Sequence, residues 1–232
     1  MSRWSACVDE RGMLVRHFMT PNVLCLNESQ TCRDAMDFMR ASNIRRAPVA
    51  REGELLGMVS ERDLLRILPG TVLQVATDAG ADAQRLPVSR VMATKVITLA
   101  PDDHLEDAAR TMLNNKVGGL PVVIARRVVG ILTESDIFRV MAKVLDSTDV
   151  LRISVARTPR GDMPPDPVRM AMDLGFEVRG LVTHGRLGGE TLTVLRVAGS
   201  RADDLVEAFG AAGYNVLEVV DARGGSPRRR VA

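Results

Sequence analysis

Two short strings, Ser60-Glu61-Arg62-Asp63 and Thr133-Glu134-Ser135-Asp136, each place a hydroxyl and a carboxylate three residues apart. Each follows an apolar run, Gly57-Met58-Val59 or Gly130-Ile131-Leu132, so each falls where a strand turns into a helix. The unpaired N–H groups and the dipole at a helix N-terminus attract phosphate, and a hydroxyl there adds a further hydrogen bond. A carboxylate one turn on can accept from two hydroxyls. The same spacing is also that of a capping box, which needs no ligand. Arg45, Arg46 and Arg62 lie close by in sequence and either meet phosphate or form a solvated basic face. No nucleophile stands beside a base, and no Walker loop or metal-ligand cluster occurs. The expectation is a binding protein and not an enzyme, with no catalytic residues.

The elements that must position these groups come from a duplication. Residues 17–68 align with residues 90–141 without a gap at an offset of 73, pairing Met19 with Met92, Asp34 with Asp107, Pro48 with Pro121, Gly57 with Gly130 and Asp63 with Asp136. Each copy reads as β-α-β-β-α. An extended piece, Val23 to Leu26 or Val96 to Leu99, precedes a helix with Cys32, Ala35, Met36 and Met39, or Leu105, Ala108, Ala109 and Met112, on one face. Ser29 and Asp102 are the expected N-caps. A strand ending at Pro48-Val49 or Pro121-Val122 follows, then a turn, a second strand and a second helix. One copy cannot bury enough surface alone; two can share a core.

With 46% hydrophobic and 26% charged residues the chain reads as soluble and globular, and at a net charge of +2 nucleic acid is an unlikely partner. No apolar run suits a bilayer or a secretory signal, so no membrane association is expected and the cytoplasm is the expected compartment. The three cysteines, Cys7, Cys25 and Cys32, are odd in number and form no CxxC, and His17, His104 and His184 are scattered. No disulfide framework or metal site is expected. Aromatic residues make up only 3%, so the core leans on Leu, Val, Ala and Met.

The strings Met19-Thr20-Pro21, Ile44-Arg45-Arg46-Ala47-Pro48-Val49 and Gly57 to Asp63, with Val117-Gly118-Gly119-Leu120-Pro121 and Gly130 to Asp136, resemble the CBS domain family. The Gly-apolar-apolar-Ser/Thr-x-x-Asp string, its most specific mark, stands at the same place in both copies. Two such repeats resemble a Bateman module. The resemblance implies an adenine nucleotide or related adenosyl compound as regulatory ligand, held in clefts between repeats, with no other cofactor. The implied nucleotide-binding residues are Thr20, Val23, Ile44, Arg45, Arg46, Pro48, Ser60, Arg62 and Asp63 in the first copy, and Val96, Val117, Gly119, Leu120, Pro121, Thr133 and Asp136 in the second. Asp63 and Asp136 would take ribose hydroxyls, Gly57 and Gly130 would let the ligand come close, and the segments before Pro48 and Pro121 would offer backbone groups to adenine. Ser60 replaces the more usual Thr, and Gly118-Gly119 replace the basic pair, so the first cleft is expected to carry more positive charge. The family also implies a homodimer formed through helices and a regulated partner protein whose identity the chain does not disclose.

A different pattern follows Ser147. Leu151, Ile153 and Val155 alternate as a strand, Asp166-Pro167 starts a helix that Gly175 ends, and strands run over 176–183 and 191–197. Ser200 with Asp203 caps a second helix, and Tyr214 to Val220 closes the set. This β-α-β-β-α-β order is that of a ferredoxin-like split βαβ domain and resembles the ACT domain. A CBS pair followed by such a domain resembles proteins of the acetoin-utilisation protein B type. The expected fold class is therefore α/β (α+β), two CBS repeats in one Bateman module plus a C-terminal ferredoxin-like, ACT-like domain. The expected boundaries are a disordered start over 1–12, repeats over 13–70 and 88–146, a linker over 71–87, the C-terminal domain over 149–221 and a disordered basic tail over 222–232. The leading functional expectation is a regulatory nucleotide sensor; the alternatives are a ligand-free dimerisation or assembly module and an amino-acid-responsive regulator.

Overall fold

The computed structural model describes residues 12–68, 85–145, 150–157, 165–185, 190–199 and 201–221. Residues 1–11 and 222–232 of the expected disordered ends, residues 71–84 of the expected linker, and the cap expected at Ser200 lie outside these residues. The chain divides into two compact units, residues 1–140 and 141–232.

In the first unit the two copies repeat each other element by element. β2 (Arg46–Arg51) and β3 (Glu54–Ser60) form one hairpin, and β4 (Gly119–Ile124) and β5 (Arg127–Thr133) the other. Their turns put Glu52 and Gly53 at φ 50° and 85°, and Ala125 and Arg126 at φ 47° and 68°. Two successive left-handed residues match the twist of the flanking strands in such a hairpin. Before each hairpin runs a helix, α1 (Cys32–Ala41) or α3 (Leu105–Asn115), whose expected apolar face is buried save for the half-buried Ala109. After each hairpin runs α2 (Glu61–Ile67) or α4 (Glu134–Val144).

Neither expected N-cap holds. Thr31 caps α1, its hydroxyl accepting from Asp34 N–H at 3.1 Å, while the Ser29 hydroxyl donates to Asn27 Oδ1 at 2.7 Å. Asp102 is drawn instead into an ion pair with Arg16, and α3 starts after His104 without a side-chain cap. The extended pieces 23–26 and 96–99 are not full strands either. Each makes a single parallel bridge, Leu26 to Val49 or Leu99 to Val122.

The two sequence copies exchange their leading segments. β1 (Thr20–Pro21) pairs with β5 of the other copy, Thr20 opposite Ile131 and Pro21 opposite Gly130. Seventy-three positions on, Ala93 bridges Met58 in β3. The 3-10 turns Val15–His17 and Val88–Arg90 go with them. Val15 is buried in the core of Leu99, Leu105, Met112 and Leu132, and Val88 in that of Cys32, Met36, Val49 and Val59. The hairpin tips also meet, Glu54 pairing with Arg127, so all five strands form one sheet.

The second unit is β6 (Leu151–Arg157), α5 (Pro167–Asp173), β7 (Glu177–Gly185), β8 (Thr191–Ala198), α6 (Ala202–Ala211) and β9 (Asn215–Asp221). Its sheet is antiparallel in the order β7-β8-β6-β9, the ferredoxin-like order. Asp166 caps α5 by accepting from Val168 N–H at 2.7 Å, and Gly175 and Gly213, at φ 82° and 85°, end the two helices. Leu151, Ile153, Val155, Leu195 and Val197 face the helices and pack on Phe209, which meets Tyr214 edge-on at 5.6 Å. Phe209→Ala removes the largest fully buried side chain and is expected to cost about 3–5 kcal/mol, read as a lowered urea midpoint. Among the described residues no helix is long and apolar enough to cross a membrane.

Candidate functional site

The exchange of leaders regroups the candidate residues. Thr20 lies against Gly130 and Ile131, beside the cap Thr133–Asp136. Met92 and Ala93 lie against Gly57 and Met58, close in sequence to the cap Ser60–Asp63. Val23 and Val96 stand midway along the crossings between copies. Each cap thus lies near the leader of the other copy.

Gly57 and Gly130 leave room for the crossing. A Cβ on Gly57 would stand 2.7 Å from Met92 Sδ and 2.8 Å from the Ala93 carbonyl oxygen; one on Gly130 would stand 2.6 Å from Met19 Sδ and 3.0 Å from the Thr20 carbonyl oxygen. The close approach expected at these glycines is that of the other copy's leader.

Both caps are closed. Ser60 N–H and hydroxyl donate to Asp63 Oδ2 at 3.0 and 2.6 Å, and Asp63 N–H returns to Ser60 Oγ at 3.3 Å. Thr133 N–H and hydroxyl donate to Asp136 Oδ2 at 2.9 and 2.6 Å. The first N–H of each helix is taken as well, Glu61 by the Arg45 carbonyl at 2.8 Å and Glu134 by the Gly118 carbonyl at 3.1 Å. The capping box is complete at Ser60, and at Thr133 the Asp136 carboxylate supplies its half of the same arrangement. The second carboxylate oxygens differ. Asp136 Oδ1 accepts from Arg139 at 2.8 Å and its side chain is only 7% exposed. Asp63 Oδ1 lies 3.9 Å from Arg66 and its side chain is 36% exposed. Of the two carboxylates, that of Asp63 is the more open.

The basic residues also separate. Arg45 and Arg62 are exposed, and Arg46 is half-buried. Arg46 leans across to the second copy, where its guanidinium and the Glu134 carboxylate fill the space that a side chain at Gly118 would need, and its Cδ lies 2.9 Å from a Cβ on Gly119. Burial holds this guanidinium below the usual arginine range, against the pull of Glu134. The Gly118-Gly119 pair thus receives the charge it lacks from the first copy. The expected contrast, more charge at the first cleft, is correspondingly reduced.

Other candidates are less available than expected. Pro48, Gly119, Leu120 and Pro121 are buried, and Leu120 packs in the hydrophobic core. The carbonyls of Pro48 and Pro121 accept from Leu26 and Leu99 at 2.8 and 3.0 Å. The N–H groups of Ile44 and Val117 go to the Met39 and Met112 carbonyls. A cavity of about 220 Å³ in this unit is lined by Leu55, Leu56, Thr94, Val96, Thr98, Val123 and Arg126. It shares only Val96 with the candidate set and lies along the crossing segment 94–98, toward the hairpin tips. Nothing in the sequence patterning singles out Leu55, Leu56 or Arg126, because they meet only when the two hairpins do. Among the described residues no three His, Cys, Asp or Glu side chains gather as metal ligands, and burial pushes the Cys25 and Cys32 thiols up, away from thiolate.

A CBS domain model matches residues 15–70 and 88–143. The CBS domain-containing protein YhcV of Bacillus subtilis is 34% identical over 124 residues, 53% of this chain and 81% of that protein. An acetoin utilization protein (AcuB) from Vibrio cholerae has a similar solved structure, with a TM-score of 0.50 and 34% identity over 57% of this chain and 93% of its own. CBSX2, a CBS-pair protein of Arabidopsis thaliana solved in complex with AMP, matches with a TM-score of 0.50 and 28% identity over 58% of this chain and all of its own. With the CBS domain model matched twice and a relative 34% identical over 81% of its own length, the chain belongs to the CBS domain family.

Proposed function

We propose that this chain is a regulatory sensor that binds an adenine nucleotide in its CBS pair and passes the bound state to another protein. The observation that carries this reading is Asp63. It sits at a helix N-terminus, near the other copy's leader, with its Oδ1 3.9 Å from the exposed Arg66 and its side chain 36% exposed. A ribose has two adjacent hydroxyls to donate there, and Arg45 and Arg62 offer charge to phosphate from the surface. CBSX2 was solved with AMP, which supports the ligand class. The test is calorimetric titration with AMP, ADP, ATP, NADH and S-adenosylmethionine. Saturable heat with at least one is expected; silence from all five in a folded protein would leave an assembly module as the better reading.

That second reading has its own observation. Leu65 on α2 and Phe138 on α4 occupy equivalent positions in the two copies and are 55% and 72% exposed. Large apolar side chains at matching places on two helices suit a homodimer interface. Phe138→Glu is expected to shift the protein from dimer to monomer in sedimentation, with no change in the unfolding transition of the monomer. The C-terminal domain is read as ACT-like on its strand order. Its amino-acid-responsive alternative depends on the β6–α5 connection, residues 158–164, which lies outside the described residues.

A further inference from the structure

Arg46 spans the space between the two caps. Its backbone is opposite Ser60 in the first hairpin, and the Ser60 hydroxyl donates to Asp63 at 2.6 Å. Its side chain runs to the other copy. A Cβ on Gly119 would stand 2.9 Å from Arg46 Cδ and 3.3 Å from Thr133 Cγ2. One on Gly118 would stand 2.5 Å from Arg46 Nη1 and 2.6 Å from Glu134 Oε2, so the guanidinium and this carboxylate border the same methyl-sized space. The two glycines are the floor on which the guanidinium lies, and Glu134, exposed at the start of α4, is its neighbour.

The guanidinium and the carboxylate attract each other without closing to an ion pair. Among the described residues neither side chain makes a hydrogen bond or ion pair. A guanidinium half withdrawn from water with no bonded acceptor suits an incoming phosphate, and a charge-assisted bond there is stronger than one at the exposed Arg45 or Arg62. Asp63, Ser60, Arg46 and Glu134 therefore follow one another across the junction of the copies. The next step rests on the sensor reading above, with the ribose at Asp63. A nucleotide whose first phosphate meets Arg46 has Glu134 next in line, and every further phosphate adds negative charge beside a carboxylate. We propose that Glu134 determines the specificity of this site: together with Arg46 it admits one phosphate and disfavours longer chains, so that the ligand is a nucleoside monophosphate. Arg46 supplies the preference for phosphate, and Glu134 sets its limit.

The test is calorimetry on the full chain with adenosine, AMP, ADP and ATP, free of divalent cations. The wild type is expected to bind AMP at least tenfold tighter than adenosine and at least threefold tighter than ATP. Glu134→Gln should bring ATP level with AMP or above it while adenosine stays within twofold. Arg46→Gln should weaken AMP tenfold or more, to the level of adenosine, and Arg46→Lys, which keeps the charge, should restore most of the preference. Unliganded unfolding midpoints check that each variant folds; should Glu134→Gln fail, Glu134→Ser makes the same comparison. The proposal is overturned if the wild type binds ATP as tightly as AMP, or if neither Glu134 variant moves the ratio of AMP to ATP affinity. Both results leave the sensor reading in place. Silence from all four ligands in a folded wild type overturns that reading and this proposal together.

Discussion

Gly57→Ala is expected to destabilise the first unit by about 3 kcal/mol, the upper end of the usual cost of overpacking. Gly130→Ala should do nearly as much. The reason is the nature of the obstacle. The added methyl at Gly57 meets the Ala93 carbonyl oxygen at 2.8 Å as well as the Met92 sulfur, and the one at Gly130 meets the Thr20 carbonyl oxygen at 3.0 Å. A methionine end can swing aside, but a carbonyl moves only if the leader strand moves. Gly210→Ala is the control. Nothing lies within 4 Å of its Cβ position and it sits in α6, so the exchange should be neutral or stabilising by a few tenths of a kcal/mol up to about 1 kcal/mol. Urea denaturation of the three variants reads this directly. Equal midpoints for Gly57→Ala and Gly210→Ala would mean that the leader is not packed as described.

The two aspartates are expected to part company when each is replaced by alanine. Asp63→Ala should weaken AMP binding on the order of 10–100-fold, the loss of one or two hydrogen bonds to a charged acceptor, and cost about 1 kcal/mol as a lost cap. Asp136→Ala should cost about 2–3 kcal/mol of stability, because its buried carboxylate serves Thr133 N–H, the Thr133 hydroxyl and Arg139 at once. Its effect on AMP affinity should be small. Calorimetry and unfolding on the same two proteins decide the matter. Equal losses of affinity would assign ligands to both clefts, and unchanged affinity in both would remove the carboxylates from the site.

The duplication, the order of elements in both units and the two caps are legible in the sequence because each rests on local spacing. The 73-residue offset needs no tertiary knowledge, nor do the periodic face of α1 or the Asp166-Pro167 helix start. What the sequence hides is whatever depends on a distant partner. Asp102 reads as a cap by position, yet Arg16, 86 residues away, claims it. Gly57 reads as a glycine kept small for a ligand, yet the neighbour is residue 93 of the same chain. Arg46 reads as part of the first cleft, yet its guanidinium rests over Gly118 in the second copy. Ser29 is held in a turn by Asn27, whose Oδ1 accepts from both its N–H and its hydroxyl, and the helix starts two residues later with Thr31 as its cap.

The crossing of the two leading segments has a consequence for how such a protein is made. A chain ending near residue 68 would lack the segment that fills its own core around Val49 and Val59, and would carry Val15 and Met19 with nowhere to bury them. Half of the duplication is an unfinished object. The core of the first copy is complete only once the segment around residues 88–92 is present. An ancestral single-copy gene could have supplied the missing segment only from another molecule of its own product, trading parts in a pair. Joining two copies in one chain turns an encounter between molecules into an encounter within one.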